Sequence, residues 1–530
     1  MAPTMTSPLL PSGVAQHGCF IDNEYHGGGG APWTLHDPKD GTALQELAGA
    51  SAADVDAAVT AAGRAFSTGP WADAPAAQRA RLLHRLADLI DEHAEALARL
   101  ESLPSGRPIS MVLHGDLPRV ADVFRYYAGW ADKVKGDSYA PEGGFYKIVE
   151  HVPLGVCALV TAWNASLHFL AWKAAPALAL GNTVVVKPSE KSPLGTLAFG
   201  HLARAAGFPP GVFNIVAGDG TAGAALAAHA GVHKISFTGS LATGRRVQLA
   251  AAASNLKRVT LELGGKSPAI VFADADLDNA VAWTLRGITT NSGQVCAATS
   301  RLIVHEAIAD VFVARLRAAF DAIAASLGAD PQSPSTTYGP LIDAAQYEAV
   351  LGHISAANAK GAAAVTGEKG CYVAPVLVVD PDRESSVYRD EVFGPVLCVE
   401  TFAAENEALE KANDTHYGLS GAIYTKDISR AIRIWRQVQA GTVCVNCALM
   451  AGPQMPNGGF KSSGTGRELG EYALRHYAEP RAVWIKWVLS FVVPSVAYEQ
   501  RLTILAQHEH VRRDMFHRCL PCLCTKSLSR

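Results

Sequence analysis

The chain has 530 residues, 49% of them hydrophobic and 18% charged, with a formal net charge of −3. That length leaves room for two or three domains and a large core, and that composition excludes a disordered chain. So even a charge balance offers no drive toward nucleic acid or an anionic membrane, which leaves a small uncharged molecule as the expected partner.

The first twenty residues carry no charged leader followed by an unbroken apolar run, and the first arginine is Arg64, so neither a secretory signal nor an arginine-rich transit peptide is expected. After the Gly/Pro-rich HGGGGAPW (26–33), the stretch 51–101 predicts helix. There Leu82, Leu83, Leu86, Leu89, Ile90, Leu97 and Leu100 recur at three- and four-residue spacing between charges. From 147 the pattern changes to short apolar runs bounded by turn residues: KIVEHV, VCALVTAW, NTVVVKP, VFNIVAG, HKISFTG, LKRVTLEL and PAIVFAD. These predict strands, and alanine-rich stretches at 194–206 and 221–230 predict helices between them. A second alternating block follows, with helices at about 308–326 and 404–413 and strands near 372–379, 395–402, 420–424 and 441–446. Strands alternating with helices predict parallel sheets covered on both faces, so the fold class is α/β with two domains.

No run of 18 apolar residues occurs, because VLSFVVPSVA (488–497) is short and broken by Pro494, so no membrane span is expected. The ten cysteines are scattered singly until CLPCLC at 519–524, which is not a disulfide framework and points to a reducing compartment, the cytoplasm. Three clustered thiols fall short of the four ligands of a structural zinc site, so no metal is expected.

Two glycine motifs invite a nucleotide reading and fail it. GDGTAG (218–223) has the G-x-G-x-x-G spacing after a strand and before a helix, but no Asp or Glu follows between Thr221 and Leu261 to hold a ribose, leaving a tight turn into a helix as the competing reading. GGKS (264–267) lacks the earlier glycine of a phosphate loop, since Thr260 stands there. Cys296 in NSGQVCAATS (291–300) either fills space or does chemistry, and alone it does not decide between them.

Six stretches taken together are decisive: TAWNASLHFLAWKAAPALALGNTVVVKPSE (161–190), ISFTGSLATG (235–244), LELGGKSP (261–268), NSGQVC (291–296), EVFGPV (391–396) and GGFKSSGTGRELG (458–470). In this order and at these separations they resemble the aldehyde dehydrogenase superfamily, from about Phe20 to Trp487. The resemblance implies a Rossmann-type NAD-binding domain (20–128 and 149–264), an α/β catalytic domain (265–455) and a small β oligomerisation element (129–148 and 470–487). The last of these carries a homodimer or homotetramer as its corollary. The segment 488–530 has no counterpart.

The chemistry constrains the residues independently. Hydride leaves an aldehyde carbon readily only from a tetrahedral centre bearing O⁻, which a thiolate can create and which hydride loss turns into a thioester. A general base must then activate water, and donors must await the O⁻. By resemblance Cys296 is the nucleophile, Glu262 the base, Asn164 the side-chain half of the oxyanion hole, and Lys173 a lysine beside that asparagine. Lys187 and Glu190 match the pair holding the adenosine ribose. A carboxylate there favours NAD while leaving NADP possible. Trp163, Ser189, Thr238 and Gly239 lie in the same cofactor-binding motifs, and Ser240 begins a helix suited to the pyrophosphate. Glu391 matches the residue gripping the nicotinamide ribose and Phe393 one packing near the ring.

The substrate side departs from the family pattern. Where many relatives follow the asparagine with an aromatic and a proline, this chain has Ala165 and Ser166; Asn457 stands where an aromatic is common, and Ala451 where some members place one. With Phe169, Trp172 and Val295 as remaining walls, a wider, more polar tunnel for a bulky or functionalised aldehyde is expected. A CoA-acylating semialdehyde dehydrogenase is a rival within the superfamily, against which the base Glu262 weighs. A non-catalytic dinucleotide-binding homologue is a rival outside it, and would have no use for the intact set.

Overall fold

The computed structural model describes residues 18–357, 366–367 and 369–487. The chain divides into two compact units, one running up to Lys135 and over His151–Arg481, the other comprising Gly136–Glu150 and the chain from Ala482.

The first unit holds two large sheets. In one, Arg258–Glu262, Lys234–Thr238, Val156–Val160, Thr183–Lys187 and Phe213–Val216 lie side by side and parallel. The short antiparallel strands Cys19–Ile21 and Glu24–His26 extend one edge, and Gly464–Thr465 closes the other against Arg258–Glu262. Every residue of the strands Val156–Val160, Thr183–Lys187 and Lys234–Thr238 is buried, as both-face coverage demands, and VCALV and the VVV of Thr183–Lys187 read as apolar runs for that reason. The ladders align their ends: Val160 lies beside Lys187 and Phe237, and Thr238 beside Glu262. Chemically active side chains therefore stand along one carboxyl edge, where ligands of parallel sheets bind.

The other sheet orders six parallel strands as Val376–Val379, Val396–Phe402, Arg301–His305, Pro268–Val271, Ser420–Tyr424 and Thr442–Val445. Here the loops of interest enter the strands rather than leave them: 291–300 runs into Arg301 and 391–395 into Val396.

Several elements differ from the sequence reading. The stretch 51–101 is three helices, Ala52–Ser67, Ala76–Glu92 and Ala94–Ser105, the first opened by a Ser51/Asp54 capping box and followed by Gly69-Pro70. The strand near 372–379 is only Val376–Val379, because Pro375 has no N–H to give the ladder. The helices Leu117–Ala128, Ser166–Ala179 and Leu277–Thr289 were not anticipated. Ser166–Ala179 is buried nearly all round, so it lacks the two-sided pattern that betrays a surface helix. GDGTAG is the tight turn: Asp219 accepts the Thr221 N–H and caps the helix Gly220–Ala228. Among the described residues no helix is long and apolar enough to cross a membrane. The tail 488–530, with CLPCLC, lies outside the described residues.

The second unit is built on a hairpin, Asp137–Glu142 with Phe145–Pro153, which turns at Gly143 and Gly144, both at positive φ as a two-residue turn requires. The strand Ala478–Lys486 joins it as a third strand. Trp484 and Trp487 stand 66% and 51% exposed there.

Candidate active site

A cavity of about 200 Å³ in the first unit is lined by Asn164, Glu262 and Cys296 together with Ala165, Phe169, Trp172, Val295, Ala451 and Asn457. The two sheets supply these groups differently. Asn164 sits in the single turn Trp163–Ala165, between the buried strand Val156–Val160 and the helix Ser166–Ala179. Its Nδ2 donates to the Gln294 carbonyl at 3.0 Å, tying it to the cysteine loop.

That loop takes an unusual course. Asn291, Ser292 and Gly293 all have positive φ (49°, 54° and 75°), which costs a non-glycine residue roughly 1–3 kcal/mol unless its surroundings enforce it. The enforcement is visible: Ser292 Oγ donates to the Gly339 carbonyl at 2.6 Å, Gln294 Nε2 to Asn291 O at 3.0 Å, and the Ile342 N–H to Gln294 Oε1 at 2.9 Å. Gly265 lets the loop close down, since a Cβ there would fall 2.3 Å from the Cys296 carbonyl oxygen. Cys296 is thereby half-buried, with half-buried Val295 and Ala297 on either side.

Burial pushes the Cys296 thiol well above its ordinary value, and Glu262 and Glu391 push it further. Burial likewise pushes Glu262 up to about 8, with Glu468 adding to the rise and Lys173 and the Cys296 thiol opposing it. Neither Glu262 oxygen takes another hydrogen bond among the described residues, so the thiol is the donor that faces it. Lys173, fully buried, donates to Thr238 Oγ1 at 2.7 Å and pairs with Glu468. It links the helix after Asn164 to both the sheet edge and the C-terminal segment.

The cofactor candidates line the same carboxyl edge. Lys187 Nζ lies 3.3 Å from Glu190 Oε2, and the Glu190 carbonyl accepts from the Trp33 indole at 2.9 Å. Burial lowers the Lys187 pKa and Glu190 opposes it. Ser189 is buried and its Oγ accepts the Lys191 N–H. Gly239 leads into Ser240, which is exposed and caps the 13-residue helix Leu241–Ala253, so free N–H groups point outward there, suited to a pyrophosphate. Thr238 is already engaged by Lys173. Glu391 presses against Gly264 and accepts the Gly265 N–H at 3.0 Å; burial raises it to about 7. The Phe393 ring meets Trp163 edge-on at 5.2 Å. These donors and carboxylates fit a dinucleotide. By contrast, a Cβ on Gly220 or Gly223 of the GDGTAG turn would meet nothing within 4 Å among the described residues, so no close backbone approach there requires those glycines.

The structure adds residues the sequence reading did not single out. Glu468 stood inside a motif quoted for the resemblance, without an assigned role. Arg107 and Asp116, a buried ion pair at 2.5 Å, line the cavity with His168 and Arg119. Asp116 ends a π-helical turn, Val112–Asp116, which has no sequence signature.

The aldehyde dehydrogenase family model matches residues 28–483. The human retinal dehydrogenase 2 is 44% identical over 475 residues, covering 88% of this chain and 91% of that protein. The cytosolic aldehyde dehydrogenase 1 of Elephantulus edwardii is 42% identical over 91% of this chain and 98% of its own length. The structure of an aldehyde dehydrogenase from Bacillus cereus in complex with NAD+ superposes with a TM-score of 0.87 at 37% identity, covering 91% of this chain and 99% of that one.

Proposed function

The chain belongs to the aldehyde dehydrogenase family and oxidises an aldehyde with NAD, and on that premise we propose the role of each residue and the kind of aldehyde taken. One observation carries the assignment: the Glu262 carboxylate, with no other hydrogen-bond partner among the described residues, faces the Cys296 thiol in a cavity that Asn164 also lines. Cys296 adds through sulfur to the carbonyl carbon while Glu262 receives the thiol proton. The oxygen, now O⁻, takes the Asn164 Nδ2–H and the Cys296 backbone N–H. Bound NAD supplies the hydride acceptor. Glu262, having passed the thiol proton on to solvent, then takes a proton from water, which attacks the Cys296 thioester; the C–S bond breaks, releasing the acid and returning the Cys296 thiolate. Lys173 holds the turn and the base in place through Thr238 and Glu468.

Lys187, Ser189, Glu190, Gly239, Ser240 and Trp163, within an NAD-binding domain of 20–128 and 149–264, hold the dinucleotide together with Glu391 and Phe393 of a catalytic domain of 265–455. NADP is admitted less readily because of Glu190. The small Ala165 and Ala451, with Asn457, His168 and Arg119 around the cavity, support a bulky or functionalised aldehyde. The exposed aromatics Trp484 and Trp487 on the second unit's sheet support a homodimer or homotetramer through the element 129–148 and 470–487. The free cysteines support a cytoplasmic, reducing location.

The test is NADH production over a panel of aldehydes, with Cys296→Ala as control. The wild type produces NADH and carboxylic acid, faster in kcat/KM with aromatic or long-chain aldehydes than with acetaldehyde, and the variant is silent. Acyl-CoA formation when CoA is added would replace the hydrolytic reading with the acylating one. A preference for acetaldehyde would remove the substrate-size reading alone.

A further inference from the structure

We propose that Ser166 is a positioning residue for the oxyanion-binding turn: its hydroxyl, paired with that of Ser192, holds the Trp163 carbonyl and thereby fixes the Asn164 amide. This rests on the role given to Asn164 above.

The turn Trp163–Ala165 has little else to hold it from this side. Ala165 has φ −159° and ψ 53°, outside the helical region, and its methyl offers almost no packing. Beneath it two hydroxyls meet in a dry place. Ser166 and Ser192 are both fully buried, and their Oγ atoms lie 2.7 Å apart. Ser192 Oγ donates to the Trp163 carbonyl at 3.1 Å, and Ser166 Oγ lies 3.5 Å from the same oxygen. Either hydroxyl can donate in the contact between them, Ser166 Oγ also lies 3.4 Å from the Ser192 carbonyl, and both hydroxyls reach the Trp163 oxygen, so the pair grips that carbonyl whichever way its hydrogens run.

The carbonyl gripped in this way shares a planar peptide unit with the Asn164 nitrogen, so holding one sets the plane from which the Asn164 side chain departs. On the opposite side the Asn164 carbonyl accepts Asn291 Nδ2 at 3.3 Å and its own Nδ2 donates to Gln294. The oxyanion donor is therefore pinned between a hydroxyl pair and the cysteine loop. The buried carboxyl of Glu101, whose oxygens take no ordinary hydrogen bond among the described residues, faces the Ser166 N–H and hydroxyl and extends the polar support under the turn.

Steady-state kinetics of the full chain with NAD and an aldehyde test this. Ser166→Ala and Ser192→Ala each lower kcat about tenfold, with both KM values within about twofold, because the clamp orients a donor to the transition state and touches neither ligand. Ser166→Thr, which keeps the hydroxyl, restores kcat. In an Asn164→Ala background Ser166→Ala brings no further loss, since nothing remains to position. Wild-type kcat in both serine variants overturns the proposal, as does an equal loss with and without Asn164, which would mark a general packing effect. Should Ser166→Ala fail to fold, Ser192→Ala carries the same comparison. An Asn164→Ala variant with unchanged kcat removes the underlying reading first and is distinguishable from either result.

Discussion

The two large sheets of the first unit bring Glu262 and Cys296 to one cavity from opposite strand ends, and they hold their functional groups by different physics. Lys187, Thr238 and Glu262 close strands of the first sheet, where ladder hydrogen bonds fix the backbone and relative heights follow from register. Cys296, Glu391 and Phe393 precede strands of the second, in irregular loops that carry positive φ at Asn291, Ser292, Gly293 and Phe393. The base, Lys187 and Thr238 thus stand on a rigid edge, while the nucleophile, Glu391 and Phe393 stand on strained loops locked by side-chain hydrogen bonds and close glycine contacts. A group in register tolerates loss of its functional atoms without moving the backbone. A group on such a loop fails when its supports fail.

The comparison can be broken by substitution. Glu262→Gln, on the rigid edge, should lower kcat by about 10²–10⁴-fold without disturbing the fold. In the wild type kcat should rise as pH rises through about 8, as the base ionises, and the variant should lose that limb in a pH–rate profile. Stability should move oppositely. With a folded pKa of about 8 against an ordinary 4.5, the native state keeps a proton that the unfolded state releases, so wild-type stability falls between those values and levels off above. Thermal melts of Glu262→Gln should lack this decline. Gly265→Ala tests the loop: its methyl meets the Cys296 carbonyl, which is backbone and cannot turn away, so kcat should fall about 10²-fold while NAD binding by titration survives. Equal tolerance at both sites would dissolve the distinction.

Smaller effects sharpen it. Ala165→Phe should raise KM for a bulky aldehyde about tenfold while sparing acetaldehyde, since it fills cavity space on the oxyanion turn. Gly220→Ala should change melting stability by no more than about 0.5 kcal/mol and leave the NAD Kd unchanged, because the added methyl meets nothing.

This division also decides what could be read from sequence. The strands Val156–Val160 and Thr183–Lys187 are fully buried and read as the apolar runs VCALV and VVV, while Lys234–Thr238 is as buried with Lys234 and Ser236 among its residues. The course of 290–297 follows no period, and only resemblance gave Cys296 its role. Ser166–Ala179 escaped notice because a helix buried all round has no amphipathic stripe. Glu468 escaped because its meaning lies in a partner far along the chain, Lys173, and Arg107 because its pairing with Asp116 depends on a π-helical turn that has no sequence signature.

The short strand Gly464–Thr465 has a consequence for how the molecule is made. It pairs Gly464 with Glu262, Ser463 accepts the Leu263 N–H through its carbonyl and donates from its hydroxyl to Gly264 O, and Glu468 then reaches Lys173. Tyr127 and Asn182 donate to the carbonyls of Gly470 and Tyr477 a few residues later. Synthesis runs from the N-terminus, so Cys296, Asn164 and Glu262 all emerge long before the segment that borders the base and anchors its lysine. A nascent or prematurely ended chain holds every reacting atom and lacks the final strap. Competence therefore waits on the synthesis of this segment, and a product truncated before Gly464 should make no NADH from an aldehyde that the longer chain oxidises.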